Sequence, residues 1–235
     1  MTDAKRPEKV CRHLSEKKGG RGAPAKGRSL FCVINQKIYV GTKTHLNERI
    51  LDEQRNVRNV NKERILSIHE AIMENSLHLG QHCRRVADLA FRVAMCLGTG
   101  NVVEIYRAAL VHDIGKLFID PAILNKPSAL TPDERKQIDR HSVLGYVYLK
   151  TRCVPEPIAQ MVLLHHGYKK EKYGYSDGKN PNMGADIIRA CDIFDAVTSD
   201  RVYRKALTPE EAMEILKNQP EPLPEDVIRA VWQCR

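Results

Sequence analysis

HDIGKLFIDPAILNKPSALTPDE, residues 112–134, carries the strongest structural signals in the chain. The His-Asp pair at its start closes a helix that apolar periodicity predicts over about 101–112. Near its end, Thr131 introduces a Thr-Pro-x-Glu sequence, which is typical of a capped helix start. The side chains of His112 and Asp113 are therefore expected to project past a helix end into a cavity shared with neighbouring helices.

Helical periodicity continues on both sides of this stretch. Val86, Leu89, Val93 and Leu97 are spaced as one face of an amphipathic core helix. The segment 46–75 predicts one long helix or two broken helices, and 30–41 is compatible with a short β-hairpin. Further helices are predicted at about 132–150, 156–166, 183–199, 209–217 and 225–233. The predicted fold class is an all-α helical bundle with a short β-hairpin before it.

Composition excludes several classes of protein. At 235 residues, of which 42% are hydrophobic, the chain suits one domain of ordinary size with an appendage. It has no apolar run of the roughly 18–20 residues that cross a bilayer, and its amino terminus lacks the apolar core of a secretory signal. Seven scattered cysteines without a CxxC pair favour reduced thiols over disulfides or a cysteine zinc site. These features predict a cytoplasmic protein.

The net charge of +9 is concentrated at the amino terminus. Residues 1–30 contain nine Lys or Arg against three Asp or Glu, so the rest of the chain carries only +3. With few large apolar groups to bury, residues 1–29 are predicted to be a disordered basic tail that aids solubility, and nucleic acid is not a predicted partner. Residues 30–60 are then predicted to form a hairpin and connector helix, and 61–235 the main domain.

Six of the nine histidines fall between residues 78 and 166, mostly on helix faces or at helix ends. They are His78, His82, His112, His141, His165 and His166. Asp192 lies on a later predicted helix between apolar neighbours, which suits a carboxylate that points inward. Any one of these histidines alone is typical of a hydrogen-bonded core residue. Together with the carboxylates they predict a transition-metal site, because burying all of them without a metal would be costly.

Four segments resemble the HD superfamily of metal-dependent phosphohydrolases and, within it, the HD-GYP cyclic-di-GMP phosphodiesterases. They are the stretch 112–134, RHSVLGYVYL (140–149), LLHH (163–166) and CDIFDAVTSDRVYRKALTPEEAMEIL (191–216). The resemblance covers about 61–216 and implies the fold of an HD domain.

The same resemblance implies a set of site residues. A basic metal site would be formed by His82, His112, Asp113 and Asp192. Asp113 would bridge to a second metal held by His141 and His165, with His166 in the same cluster. Lys116, Arg201 and Arg204 match positions that the family uses for phosphate or ligand contact, which suits an ammonium and two guanidinium groups.

Three positions depart from the family pattern. His78 stands where the family usually has Glu and would make the metal cluster richer in nitrogen. The family's HHE becomes His165-His166-Gly167, and its GYP becomes Gly174-Tyr175-Ser176. Tyr175 remains an aromatic candidate for stacking on a nucleotide base. The departures spare the metal core and bear on the identity of the substrate.

The resemblance implies hydrolysis of a cyclic dinucleotide, most favourably cyclic-di-GMP, by a hydroxide that bridges two divalent ions. Fe and Mn are the favoured metals, and a third ion is compatible with the ligands. Asp113 and Lys116 would serve the reaction, while Lys116, Arg201, Arg204 and Tyr175 would contact the substrate. Two alternatives stay open: a non-catalytic module that binds a nucleotide or a signalling protein, and an HD phosphohydrolase for another nucleotide. A homodimer is also compatible with the sequence.

Overall fold

The computed structural model describes residues 32–34, 37–39, 43–167, 182–200 and 205–235. The predicted basic tail over 1–29 lies outside these residues. The chain divides into two compact units, Met1–Asp52 and Glu53–Arg235, and the division falls within the first helix. The sequence-based boundary between residues 60 and 61 stays a prediction.

Two short strands lie in the segment 30–41, which the sequence indicated as a hairpin. Strand β1 (Cys32–Ile34) pairs antiparallel with strand β2 (Lys37–Tyr39). The register places Cys32 opposite Tyr39 and Ile34 opposite Lys37. Two residues separate the strands, which is the commonest length of a hairpin connection.

Helices make up most of the rest of the described chain. They are α1 (Lys43–Asn75), α2 (Leu77–Cys96), α3 (Val102–Leu110), a 3₁₀ helix (Ile114–Phe118), α4 (Pro121–Leu124), α5 (Pro132–Ile138), α6 (His141–Thr151), α7 (Glu156–Leu164), α8 (Met183–Thr198), α9 (Pro209–Lys217) and α10 (Glu225–Cys234). The predicted helical bundle is confirmed. Among the described residues, no helix combines the length and the apolar character needed to span a bilayer.

Side-chain caps determine where two of the helices begin. Thr131 and Thr208 each accept a hydrogen bond from the backbone N–H three residues later. Glu134 and Glu211 accept one in return from the backbone N–H of the respective threonine. This reciprocal pattern satisfies N–H groups that have no partner inside the helix. Both Thr-Pro-x-Glu sequences are therefore helix starts, as predicted.

Helix α2 lies at the centre of the bundle and packs against α3, α8 and α10. Its buried face contains several alanines, among them Ala87, Ala90 and Ala94, each with no exposed surface. Small side chains at a helix contact permit a short distance between the helix axes. The close packing of α2 on α8 brings His82 near Asp192.

One sequence expectation is wrong: the single helix predicted over 132–150 is two helices, α5 and α6. The interruption makes His141 the first residue of α6. At the interruption, α6 comes close to the 3₁₀ helix. A Cβ atom on Gly115 would lie 1.8 Å from the carbonyl oxygen of His141 and 2.7 Å from the backbone nitrogen of Gly145. Only glycine fits at position 115, and the contact holds His141 beside Asp113.

Candidate metal centre

Seven of the residues that the sequence indicated as ligands converge in the core. His82 lies on α2, His112 and Asp113 between α3 and the 3₁₀ helix, His141 at the start of α6, His165 and His166 directly after α7, and Asp192 on α8. Four of them are almost wholly buried, since His112, Asp113, His141 and His165 expose at most 2% of their surface. Helix packing therefore fixes the positions of these side chains.

Asp113 belongs to two groups of closely spaced ligand atoms. One group comprises Asp113, His141, His165 and His166, and the other comprises His82, His112 and Asp113; within each, the ligand atoms lie within 4.8 Å of one another. The Oδ1 atom of Asp113 is 3.3 Å from Nε2 of His141, whereas its Oδ2 atom is 3.4 Å from Nε2 of His112. The two carboxylate oxygens thus face different groups, as a carboxylate that bridges two ions would.

Backbone contacts fix the rings of three histidines. The Nδ1 atoms of His112, His141 and His165 lie 2.8, 2.5 and 2.6 Å from the carbonyl oxygens of Ala109, Ile138 and Val162, respectively. A carbonyl can only accept, so Nδ1 carries the hydrogen and donates it. When a ring is neutral, its Nε2 atom therefore keeps a lone pair directed at the cluster, which is the tautomer that a metal requires.

His82 is oriented by side chains of α8. Its Nε2 atom lies 3.0 Å from Oδ1 of Asp192, and its Nδ1 atom lies 2.7 Å from Oδ2 of Asp195. Asp195 also accepts two hydrogen bonds from Arg85, at 2.7 and 2.9 Å. Asp195 and Arg85 were not among the predicted site residues. Their signal was spacing: each follows a predicted ligand by three residues, which places it on the same helix face one turn later.

A buried ion pair keeps the shared carboxylate charged. The ammonium of Lys116 lies 2.6 Å from Oδ2 of Asp113. Burial raises the pKa of Asp113, but the positive charges of Lys116 and His112 outweigh burial and hold that pKa well below its ordinary value. Burial lowers the pKa of Lys116, and Asp113 more than restores it, so the net shift is upward. Asp113 is therefore ionised, as a metal ligand must be.

The surroundings lower the pKa of some histidines in the cluster and raise that of His82. Burial lowers the pKa of His141, holds that of His165 well below its ordinary value, and lowers that of His166 to about 4. These rings are neutral near pH 7, the form that ligates a metal. Burial also acts to lower the pKa of His82, but hydrogen bonds to Asp192 and Asp195 outweigh it and raise the pKa to about 9. The same two carboxylates that attract a proton to His82 would also attract a metal cation.

Contacts inside the cluster fit a metal ion. Among the described residues, two deeply buried side-chain atoms lack a hydrogen-bond partner: Nε2 of His112 and Oδ1 of Asp113. In addition, Nε2 of His141 lies 3.3 Å from Nε2 of His165, although both rings carry their hydrogen on Nδ1. Two lone pairs so close repel each other unless a cation binds them, and orphaned buried polar atoms are costly. Imidazole and carboxylate donors suit Mn, Fe, Ni or Zn.

The remaining sequence-predicted residues do not join the cluster in the described structure. His78 lies on α2 one turn before His82, but it is exposed and belongs to neither group of ligand atoms. The expectation that it enriches the cluster in nitrogen is therefore not met, because α2 turns this position towards solvent. Arg201, Arg204 and Tyr175 lie outside the described residues, so their contacts with a substrate stay predictions.

The sequence pattern of the HD domain family matches residues 67–221, well over half of the chain. The chain belongs to the HD domain family. The matched region contains every residue of the cluster. The predicted membership of the HD superfamily is therefore confirmed, and the HD-GYP type fits the similarity to the relatives described next.

Several curated phosphodiesterases are similar to this HD domain chain. It is 30% identical over 182 residues to the cyclic di-GMP phosphodiesterase response regulator RpfG of Xanthomonas campestris, covering 74% of this chain and 48% of RpfG. It is 34% identical over 141 residues to the 3'3'-cGAMP-specific phosphodiesterase 3 of Vibrio cholerae, covering 58% and 30%. A cyclic di-GMP phosphodiesterase of Thermotoga maritima is 34% identical over 148 residues, covering 59% and 39%. The chain thus spans about half or less of the length of these relatives.

Solved structures share the fold of this HD domain. The HD domain of the L. monocytogenes phosphodiesterase PgpH, in complex with cyclic-di-AMP, has a TM-score of 0.56 at 24% identity, covering 72% of this chain and 92% of that one. Bd1817, an HDG"Y"P protein of Bdellovibrio bacteriovorus, has a TM-score of 0.53 at 13% identity, covering 86% and 92%. At such identities the similarity concerns the fold alone.

Proposed function

We propose that the chain is a metal-dependent phosphodiesterase that hydrolyses a cyclic dinucleotide, most favourably cyclic-di-GMP. The observation that carries this proposal is the position of Asp113 between two groups of ligand atoms, with a different oxygen facing each group. A pair of ions held in this way is a common arrangement for hydrolysis of phosphate esters. The curated relatives support the class of substrate, since their names specify cyclic di-GMP or 3'3'-cGAMP.

The residues of the cluster have separate tasks in this proposal. When bound, the divalent ions supply Lewis acidity and lower the pKa of water from about 15.7 towards about 7. His112, His141 and His165 present their Nε2 atoms with rings already oriented, so little reorganisation accompanies binding. No serine or cysteine nucleophile is needed, because water attacks the phosphorus atom directly.

Lys116 has two tasks. It keeps Asp113 ionised, since its ammonium lies 2.6 Å from that carboxylate. It would also offset negative charge on a phosphodiester oxygen as the P–O bond breaks. Addition of water across one P–O bond of the ring yields a linear dinucleotide.

Two ions, Fe or Mn, are the metal content that we propose. The ligand set is dominated by imidazole nitrogen with carboxylate between the two groups, and this mixture favours first-row transition metals over Mg or Ca. A third ion is compatible with a further group of close ligand atoms formed by His112, His165 and Asp192. His166 and His82 complete the outer positions of the cluster.

Selection among cyclic dinucleotides would depend on residues outside the described structure. Tyr175 would stack on a base, and Arg201 and Arg204 would contact the substrate through its phosphates or other polar groups. Ser176 stands where the GYP motif has proline, and serine would restrict the backbone less than proline does. The alternatives remain a non-catalytic module that binds a nucleotide or a signalling protein, and a phosphohydrolase that acts on another nucleotide.

The proposal predicts both metal content and turnover. Purified chain supplied with Mn²⁺ or Fe²⁺ is expected to hold about two ions, because the ligand atoms form two groups that share Asp113. It is expected to convert at least one of cyclic-di-GMP, 3'3'-cGAMP and cyclic-di-AMP to a linear product, and a chelator should abolish the reaction. Elemental analysis and mass spectrometry of the products measure these outcomes on the same sample.

The two alternative functions predict different results in the same experiments. Metal-loaded protein that binds a cyclic dinucleotide but leaves it intact would support the non-catalytic module. Hydrolysis confined to nucleotides outside this panel of cyclic dinucleotides would support a phosphohydrolase that acts on another nucleotide. Protein that takes up neither metal would refute the proposed centre itself.

We place the reaction in the cytoplasm. Five cysteines in the part of the chain from residue 43 onward are free thiols, namely Cys83, Cys96, Cys153, Cys191 and Cys234. Reduced thiols are the rule in that compartment. A signalling protein partner and a homodimer stay predictions.

A further inference from the structure

The ring of His82 is oriented in a different way from the other buried histidines. His112, His141 and His165 lie at helix ends or just beyond them, where a backbone carbonyl is available to accept from Nδ1. His82 lies inside α2, where backbone carbonyls are occupied by the helix itself. Its Nδ1 atom therefore needs a partner from another element, and Asp195 of α8 lies 2.7 Å away.

We propose that Asp195 and Arg85 are positioning residues that orient His82 for metal binding. The inference rests on the proposed metal centre and adds to it two residues that do not themselves reach the ions. A carboxylate that accepts from Nδ1–H fixes the ring orientation and makes Nε2 a better donor to a metal.

Arg85 in turn fixes the carboxylate of Asp195. Its Nε atom lies 2.7 Å from Oδ1 and its Nη2 atom 2.9 Å from Oδ2, which is a bidentate pairing. Nη2 also lies 3.4 Å from the hydroxyl of Ser199 at the end of α8. Two parallel bonds prevent rotation of the carboxylate, so its free lone pair stays directed at His82. Only 10% of the Asp195 side chain is exposed, so water competes little for these bonds.

The two helices thus form matching pairs one turn apart. His82 of α2 faces Asp192 of α8, and Arg85 of α2 faces Asp195 of α8. The diagonal bond from His82 to Asp195 joins the pairs. A change at Arg85 is therefore transmitted to Nε2 of His82 through Asp195 without any change to a ligand.

The test measures the affinity of metal-free full-length chain for Mn²⁺ in the absence of substrate. Asp195→Asn is expected to weaken binding about 10- to 100-fold, the usual cost of losing such a partner. Arg85→Ala should weaken Mn²⁺ binding about 10-fold, within the same range. Arg85→Lys should recover part of that affinity because it keeps one charged donor. The matched control is Arg84→Ala, because Arg84 bonds to the hydroxyl of Tyr106 and not to the cluster; wild-type affinity is expected.

Melting temperatures of the metal-free variants separate positioning from stability. The positioning role predicts that they stay near that of the wild type while the Mn²⁺ affinity falls. Wild-type affinity in Asp195→Asn would overturn the inference, as would a loss that Arg84→Ala reproduces. Since no substrate is present, a wild type that binds Mn²⁺ but hydrolyses no cyclic dinucleotide would refute the proposed function and leave this test intact.

Discussion

Asp113→Ala is expected to reduce the metal content from about two ions per chain to none and to abolish hydrolysis. Asp113 is the member that both groups of ligand atoms share, and its two oxygens face different histidines. Its removal would take one ligand from each of the two proposed ions and also the negative charge that offsets Lys116. Elemental analysis of the purified variant, alongside turnover of the substrate that the wild type cleaves, measures both effects. Retention of two ions, or of full activity, would contradict the bridging role.

Two further variants make the result specific. Asp113→Asn keeps the volume and one carbonyl oxygen, so it tests the loss of charge even where the alanine variant fails to fold. It should remain folded and still lose at least one ion. Asp120→Ala is the matched control, because Asp120 is a carboxylate seven positions later in the chain that caps α4 by accepting from the N–H of Ala122. It should cost about 1 kcal/mol of stability and leave the metal content unchanged.

The amino-acid types that form this cluster could be recognised from the sequence. Histidine and aspartate at helix ends, together with the motif around 112–134, were sufficient to indicate residues that the structure brings together in one cluster. His78 shows the limit of spacing as evidence. It shares a helix with His82 at a separation of four residues, yet only His82 faces α8 while His78 is exposed. Which side of α2 meets the core depends on packing against α3 and α8, and spacing alone does not contain that information.

The supporting contacts were harder to predict for a related reason. Asp195 reaches His82 across 113 positions of sequence, and Arg85 reaches Asp195 across 110. Such pairs form because α2 and α8 lie side by side and each is rotated about its own axis so that these side chains meet. The interruption between α5 and α6 was missed because 132–150 reads as one helical pattern. A three-dimensional constraint, the contact of Gly115 with the start of α6, accompanies that interruption.

That contact gives the second large expected effect: Gly115→Ala should both destabilise the protein and disrupt the metal centre. The added Cβ atom would lie 1.8 Å from the carbonyl oxygen of His141, whereas ordinary carbon–oxygen contacts are about 3.3 Å or longer. The clash is with backbone, so no side chain can rotate away, and α6 must shift by more than about 1 Å to restore that spacing. Overpacking of this kind costs about 3 kcal/mol or more, or a fall of roughly 6–12 °C in Tm.

The same shift carries His141 away from Asp113, from which it is separated by 3.3 Å. Misplacement by about 1 Å can cost roughly 100-fold in rate, so activity should fall further than the loss of folded protein explains. Gly145→Ala provides a graded comparison, because its Cβ would meet Val162 at 3.2 Å and Gly115 at 3.3 Å and needs only a small adjustment. Gly100→Ala, with no atom within 4 Å of the added carbon, should match the wild type. Thermal unfolding and metal content should therefore show that Gly115→Ala is by far the most damaging of the three variants. Equal effects at all three positions would show that the close approach of α6 to the 3₁₀ helix does not hold the centre together.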